Sequence, residues 1–247
     1  MIRGFAVILL AVVLSSFGVS MLNRSSLVAY YPMTQQTGNV LLDMKGGDKL
    51  VGQGNPYIVN ASAYCNGTSS AYTASNQLAV KSLTNMFTIS FWGKRNTTTS
   101  PCFIGTYDAS TNISIWNVQN TATSGVFQMN IISSPAVNNL MQDLTTTYTS
   151  PMIWRHFVAV YDGTQATASN RVKLYVNGKN VVGTMTGTIP TTLLNPTNST
   201  FAIGRGPLTF AGNSHIKFVE LYNRPLTPTE VKNIYVEEYN KIQQSGQ

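Results

Sequence analysis

Trp154–Thr164 (WRHFVAVYDGT), Leu174–Lys179 (LYVNGK), Phe201–Arg205 (FAIGR) and Phe218–Val231 (FVELYNRPLTPTEV) follow one another in the last third of the chain, and their reading decides the fold. His156–Tyr161 is apolar on both faces, as a central strand covered from two sides must be, and Asp162-Gly163 breaks it. Val172, Leu174 and Val176 alternate with Arg171, Lys173 and Tyr175, the period of a half-buried strand. Asn177-Gly178 then offers two residues that tolerate positive φ, which predicts a two-residue hairpin returning through Lys179–Thr184. At Thr227-Pro228-Thr229-Glu230 the period changes: an N-cap threonine, a proline at the first helical position and a glutamate three after the cap form a capping box. Val231, Ile234, Tyr235 and Ile242 share one helical face with Tyr239 alongside, which predicts a helix of roughly three turns on the sandwich rim.

Outward from this block the signals remain strands and turns. Phe87–Trp92 (FTISFW) alternates large apolar residues with Thr88 and Ser90, and Leu27–Tyr31 is an apolar run ended by Pro32. Cys102–Tyr107, Ile113–Asn117 and Val126–Ile132 also read as strands. Asn39–Gly54 is glycine-rich and reads as loop around a short strand at Leu41. The expected architecture is all-β, a two-sheet antiparallel sandwich with a short C-terminal helix.

Composition narrows the function. Of 247 residues only 10% are charged, and 16 Lys and Arg against 9 Asp and Glu leave a net charge of +7 carried by scattered residues. No basic run interleaves with aromatics, so nucleic acid is not an expected partner. The two cysteines, Cys65 and Cys102, lie in no CxxC pair; either one long-loop disulfide in an exported domain or two buried thiols fits them.

Residues 4–22 form an uncharged, mainly apolar run between Arg3 and Arg24. A secretory signal peptide cleaved near Gly18-Val19-Ser20 and an uncleaved membrane anchor both account for it; its length favours the anchor. The chain then divides into 1–25, an anchor (a transmembrane helix) or signal segment, and 26–247, the sandwich domain. The positive-inside bias puts that domain on the non-cytoplasmic side, and a secreted protein is the alternative. Six Asn-x-Ser/Thr sequons, at Asn23, Asn60, Asn66, Asn96, Asn112 and Asn198, are what so Asn/Ser/Thr-rich a chain yields by chance.

The ordered block Trp154–Tyr235, with LVAYYP at 27–32 and FTISFW at 87–92, resembles laminin-G-like and pentraxin-like domains of the concanavalin A-like lectin/glucanase superfamily. The resemblance implies a jelly roll with variable loops in the divergent segments 60–75 and 108–150. Tyr64-Cys65-Asn66-Gly67 stands where members often carry an FDG-type segment, so a ligand-bearing aspartate is replaced by Asn66. The glucanase branch implies paired carboxylates in an ExDxxE-type pattern, and this chain has none. It has no GxSxG elbow either, and His156 and His215 lie in expected strands, where a structural role is the commoner one. No catalysis is therefore expected.

Calcium-binding members imply a loop site, for which Asp43 and Asp48 are the candidate ligands, with Asp162 assigned to its turn. Tyr64, Tyr72, Tyr107, Trp116 and Tyr148, in or near the divergent segments, are the candidate sugar-stacking residues, whereas Trp92 and Trp154 are assigned to the core. A single apolar anchor before a lectin-like module is similar to single-pass proteins of large DNA viruses. That likeness implies a membrane-tethered, minor structural component of a virion, linking membrane and capsid through other proteins of the assembly. The alternative function is a lectin-like adhesin that binds glycans, with or without calcium.

Overall fold

The computed structural model describes residues 24–34, 39–66, 70–75, 77–97, 101–111, 113–121, 125–134, 137–143, 147–148, 151–194, 198–206 and 212–244. The apolar run 4–22 and the sequons at Asn23 and Asn112 lie outside them. Among the described residues no helix is long and apolar enough to cross a membrane.

In chain order the first strands are β1 (Leu27–Tyr31), β2 (Val40–Leu42), β3 (Lys49–Gln53), β4 (Tyr57–Val59), β5 (Ser62–Asn66) and β6 (Ala71–Ser75). A short helix α1 (Leu78–Lys81) precedes β7 (Met86–Arg95), β8 (Cys102–Asp108), β9 (Ile113–Asn120), β10 (Phe127–Ser134) and β11 (Val137–Asp143). Then come β12 (Arg155–Asp162), β13 (Val172–Val176), β14 (Lys179–Val181), β15 (Gly183–Thr186), β16 (Ser199–Ile203), β17 (Asn213–Tyr222) and α2 (Pro228–Gln244). One sheet runs β14-β13-β12-β7-β17-β5-β4, with β1 also on β17; the other runs β15-β11-β10-β9-β8-β16-β6-β3-β2. Neighbouring strands pair antiparallel throughout, as in a jelly-roll sandwich.

Alternation explains the core. Phe87, Ile89 and Phe91 of β7 and Phe157, Ala159 and Tyr161 of β12 face Phe103, Trp116, Phe127 and Met129 of the second sheet. Phe157 sits among four rings, with centroids 5.6 Å from Phe91, 5.5 Å from Phe103, 4.7 Å from Phe127 and 5.8 Å from Tyr148. The Asn177-Gly178 turn has φ of 50° and 74°, the positive pair its sequence predicts. Its return strand differs from expectation: β14 ends at Val181, and β15 crosses to pair with β11 of the other sheet.

The C-terminal helix also departs from the reading above. The capping box is present, with Thr227 N–H donating to Glu230 Oε2 at 2.8 Å and Glu230 N–H to Thr227 Oγ1 at 3.3 Å. But α2 spans 17 residues and lies across the outer face of the first sheet rather than on its rim. Val231 and Ile234 pack with Val158, Val160, Tyr175 and Tyr222, while Tyr235 stacks on Trp92 at 5.7 Å. Beneath the helix Trp92 Nε1 donates to Glu238 Oε2 at 2.8 Å, and His156 Nε2 lies 2.8 Å from Ser90 Oγ. Burial pushes the Glu238 carboxyl well above the ordinary carboxylate range and pulls His156 down to about 3. His156, held near 3, is neutral at pH 7, so its 3.6 Å approach to Glu238 is not an ion pair.

Candidate functional site

Past Trp92, the outer face of the first sheet continues beyond the helix-covered residues into a row of polar and aromatic side chains. Register sets the row: Lys94 of β7 pairs with His215 of β17, His215 with Tyr64 of β5, and Tyr64 with Tyr57 of β4. Tyr57 and Tyr64 have centroids 4.8 Å apart, and Tyr64 and His215 5.0 Å apart. Trp154, on the approach to β12, meets His215 edge-on at 6.3 Å. A β-bulge follows Lys217: Phe218 has φ of 51°, and the register with β7 shifts between Lys217 and Glu220. Ile216, Val219 and Leu221 therefore all face the core, leaving Lys217 beside His215 on the outer face.

Two ammonium groups converge on one indole. Lys217 Nζ is 4.2 Å from the Trp154 ring centroid and Lys94 Nζ is 5.0 Å away. Burial, then Lys94, pull Lys217 down to about 8. Burial, then Lys94 and Lys217, pull His215 to about 4, so it is neutral at pH 7. Ser62 Oγ lies 2.7 Å from Val59 O and 3.1 Å from His215 Nδ1. The hydroxyl has one proton, which goes to the carbonyl; His215 Nδ1 must therefore carry the hydrogen. These side chains border a recess of about 320 Å³ lined by Val59, Asn60, Ser62, Lys94, Met152, Trp154 and His215. Asn60 and Ala61 form the β4–β5 turn, both at φ 48°, a left-handed conformation rare for alanine.

Of the residues expected to stack on sugar, only Tyr64 stands at this recess, half-buried. Tyr72 and Trp116 are 0% and 1% exposed and belong to the inter-sheet core. Strands β5, β6 and β11 occupy parts of segments 60–75 and 108–150 where loops were expected, and Trp116 points inward from β9, already read as a strand. Tyr107 is buried and accepts a hydrogen bond from Arg205 Nη2. Tyr148 is buried too, donating to Asp143 Oδ2 at 2.7 Å. Trp154 was assigned to the core and is instead half-exposed on the outer face.

Cys65 and Cys102 take the second of their two readings. Both are free and buried, on strands of different sheets, with Cys65 Sγ 3.9 Å from Ile203 O and Cys102 Sγ 3.8 Å from Val118 O. Burial raises the Cys65 thiol to about 12, which removes its thiolate character. Asp43 is buried, and its Oδ1 accepts Tyr30 N–H at 2.9 Å and Lys45 N–H at 2.8 Å, ordering the loop that Asp48 closes through its own carbonyl. Among the described residues no three His, Cys, Asp or Glu side chains gather as a metal site. Asp162 holds its turn as expected, accepting from Thr164 Oγ1 at 2.6 Å.

The second sheet bears a buried polar ladder. Gln128 Nε2 donates to Asn130 Oδ1 at 3.0 Å, Asn130 Nδ2 to Asn117 Oδ1 at 2.6 Å, and Asn117 Nδ2 to Ser114 Oγ at 3.0 Å. This ladder spends its hydrogen bonds on itself.

A family model described as the concanavalin A-like lectin/glucanases superfamily matches residues 66–232, and the chain belongs to that superfamily. No curated protein matches it in sequence. Among solved structures it is similar to a Trypanosoma rangeli sialidase in complex with sialic acid, at 17% identity and a TM-score of 0.65, over 88% of this chain and 34% of that one. It is also similar to the binding domain of botulinum neurotoxin DC in complex with rat synaptotagmin II, at 14% identity and a TM-score of 0.63, over 86% of this chain and 51% of that one. The binding domain of Paraclostridial Mosquitocidal Protein 1 gives 16% identity and a TM-score of 0.63, over 88% and 53%. The chain thus spans about a third of the sialidase and half of each toxin domain. At these identities the likeness is one of fold.

Proposed function

We propose that this member of the superfamily is a non-catalytic binding module that takes a saccharide at the Trp154 recess, held at a membrane by residues 4–22 on the non-cytoplasmic side. The observation that carries the proposal is the half-exposed indole of Trp154, set among hydrogen-bonding side chains on an otherwise covered sheet face. An aromatic ring beside such groups suits the apolar face and hydroxyl rim of a pyranose. The recess lining contains no carboxylate, whereas glycoside hydrolysis needs two flanking the bond. Glu220 and Glu238 are buried, the latter under α2, and Glu230 caps that helix. The Ser62–His215 pair lacks an orienting acid, and the Ser62 proton is engaged by Val59 O.

Titrating full-length protein in non-ionic detergent with a panel of oligosaccharides tests the proposal. Of the three tryptophans Trp92 and Trp116 are buried and Trp154 is half-buried at the recess, so binding should change its emission. Trp154→Ala should weaken binding about tenfold, the equivalent of ~1.4 kcal/mol. Unchanged affinity in that variant would remove the recess from the function.

Assembly-linking, as a minor structural component of a virion, is a second reading. It is favoured by Met152 and Ile153, 56% and 48% exposed beside the recess, which offer apolar contact to a protein. Co-purification with particle proteins at fixed stoichiometry supports it; purification free of any particle sinks it.

A further inference from the structure

We infer that α2 is the surface of the domain that lies on the membrane, with the row Lys232, Val236, Tyr239, Asn240 and Gln243 set against the phospholipid headgroups. The inference rests on the reading of residues 4–22 as an anchor, and it gives the domain a fixed orientation above that anchor.

The first support is the place where the chain enters the domain. The apolar run ends at Leu22, and only Asn23 separates it from Arg24. Two residues span at most about 7 Å. Arg24 opens a short 3₁₀ turn and is tied to two elements at once. Its Nη2 lies 3.0 Å from Glu220 Oε1 of β17 and 3.2 Å from Glu237 Oε1 of α2. Leu27, just past the turn, packs in one cluster with Val231 and Ile234 of the same helix. A bilayer entered through residues 4–22 therefore begins beside the C-terminal half of α2, on the outer face of the first sheet.

The second support is the helix itself. Positions 232, 236, 239, 240 and 243 recur at helical spacing and all are exposed, turned away from buried Val231, Ile234, Glu238 and Ile242. None of the five is acidic, so no carboxylate in the row opposes lipid phosphates. Tyr239 is fixed by stacking, its ring centroid 5.7 Å from Tyr235 and 6.4 Å from Trp92. A tyrosine so held presents an apolar ring and a hydroxyl, the pairing that suits the membrane–water boundary. Lys232 can lay its stem along that surface while its ammonium group reaches a phosphate.

One valine and one tyrosine would hold a free domain only weakly. Tethering changes the balance, because an anchor joined through so short a link keeps the face at high effective concentration. The Trp154 recess lies on the same sheet face, beyond the helix, and in this orientation opens toward the headgroup layer.

The test places an environment-sensitive fluorophore on Val236→Cys in the full-length protein, reconstituted in phosphatidylcholine nanodiscs. Cys65 and Cys102 are buried and should stay unlabelled. Val51→Cys, on an exposed position of β3 in the second sheet, marks the opposite face. A phosphatidylcholine with a nitroxide at the top of its acyl chain should cut the emission at position 236 by about threefold, as the shallow depth of an interfacial helix requires, and leave position 51 unchanged. Arg24→Gln should lessen that quenching while the protein stays with the nanodiscs. Equal, slight quenching at both positions overturns the inference and leaves the anchor reading standing. Shielding of position 236 from aqueous iodide without nitroxide quenching marks contact between copies of the protein and likewise overturns it. Protein that elutes apart from the nanodiscs overturns the anchor reading and the inference together.

Discussion

Replacing Phe157 with alanine should destabilise the domain by about 3–5 kcal/mol, the cost of removing a fully buried phenyl ring whose site cannot collapse. Phe157 is 1% exposed and lies within 6 Å, centroid to centroid, of rings from both sheets: Phe91 on its own, Phe103 and Phe127 on the other. Its truncation therefore empties the point where the two layers interlock. For a chain of this length the melting temperature should fall by roughly 6–20 °C. Phe157→Leu should recover much of the loss by restoring volume. A drop below about 1 kcal/mol in chemical denaturation would place the centre of the core elsewhere.

The second large effect concerns Glu238. Its carboxyl is buried under α2, raised well above the ordinary range by burial and then by Glu220, and it accepts the Trp92 indole N–H. A carboxyl whose folded pKa exceeds its unfolded value adds stability that is fully present below the unfolded value. That stability is lost as pH rises toward the folded value, at up to ~1.4 kcal/mol per pH unit. Glu238→Gln keeps an oxygen for Trp92 but has no proton to lose. Its stability relative to wild type should therefore climb with pH from about 4.5 upward. His156 acts in the opposite sense: lowered to about 3, it contributes stability that is lost as pH falls from about 6.5. Comparing variant with wild type at each pH cancels that contribution. Glu238→Leu, which also has no proton to lose, should show the same slope but lie about 1–3 kcal/mol below Glu238→Gln because it orphans the indole N–H. A Glu238→Gln advantage that stays flat between pH 5 and 8 would mean that the buried carboxyl is ionised.

What was legible in the sequence was local. The Asn177-Gly178 turn and the Thr227–Glu230 box each complete their geometry within four residues, so dihedral preference and capping chemistry decide them. Strand β7 read correctly from its alternation of large apolar residues with Thr88 and Ser90, and β12 from being apolar on both faces. β11, with its sequence VNNLMQD, has weak alternation and two adjacent amides, and its segment passed for loop.

The recess was illegible for a different reason. Lys94, His215 and Tyr64 become neighbours only through pairing between β7, β17 and β5, and His215 and Lys217 face outward while Val219 and Leu221 face the core only because Phe218 forms a bulge. Strict alternation through HIKFVELY would have put Lys217 on the same face as Val219 and Leu221. Trp154 passed for a core residue because large aromatics in a sandwich usually are. The burial of Glu238 was not legible, since nothing local shows that α2 covers Ser90, Trp92 and His156.

A crystal structure of the full-length protein soaked with an oligosaccharide that it binds in solution would interrogate the recess most directly. A sugar ring should lie against Trp154, with its hydroxyls near Asn60, Ser62 and His215. Sugar found instead on the Gln128–Asn130–Asn117 ladder of the second sheet, with the Trp154 recess empty, would contradict the assignment.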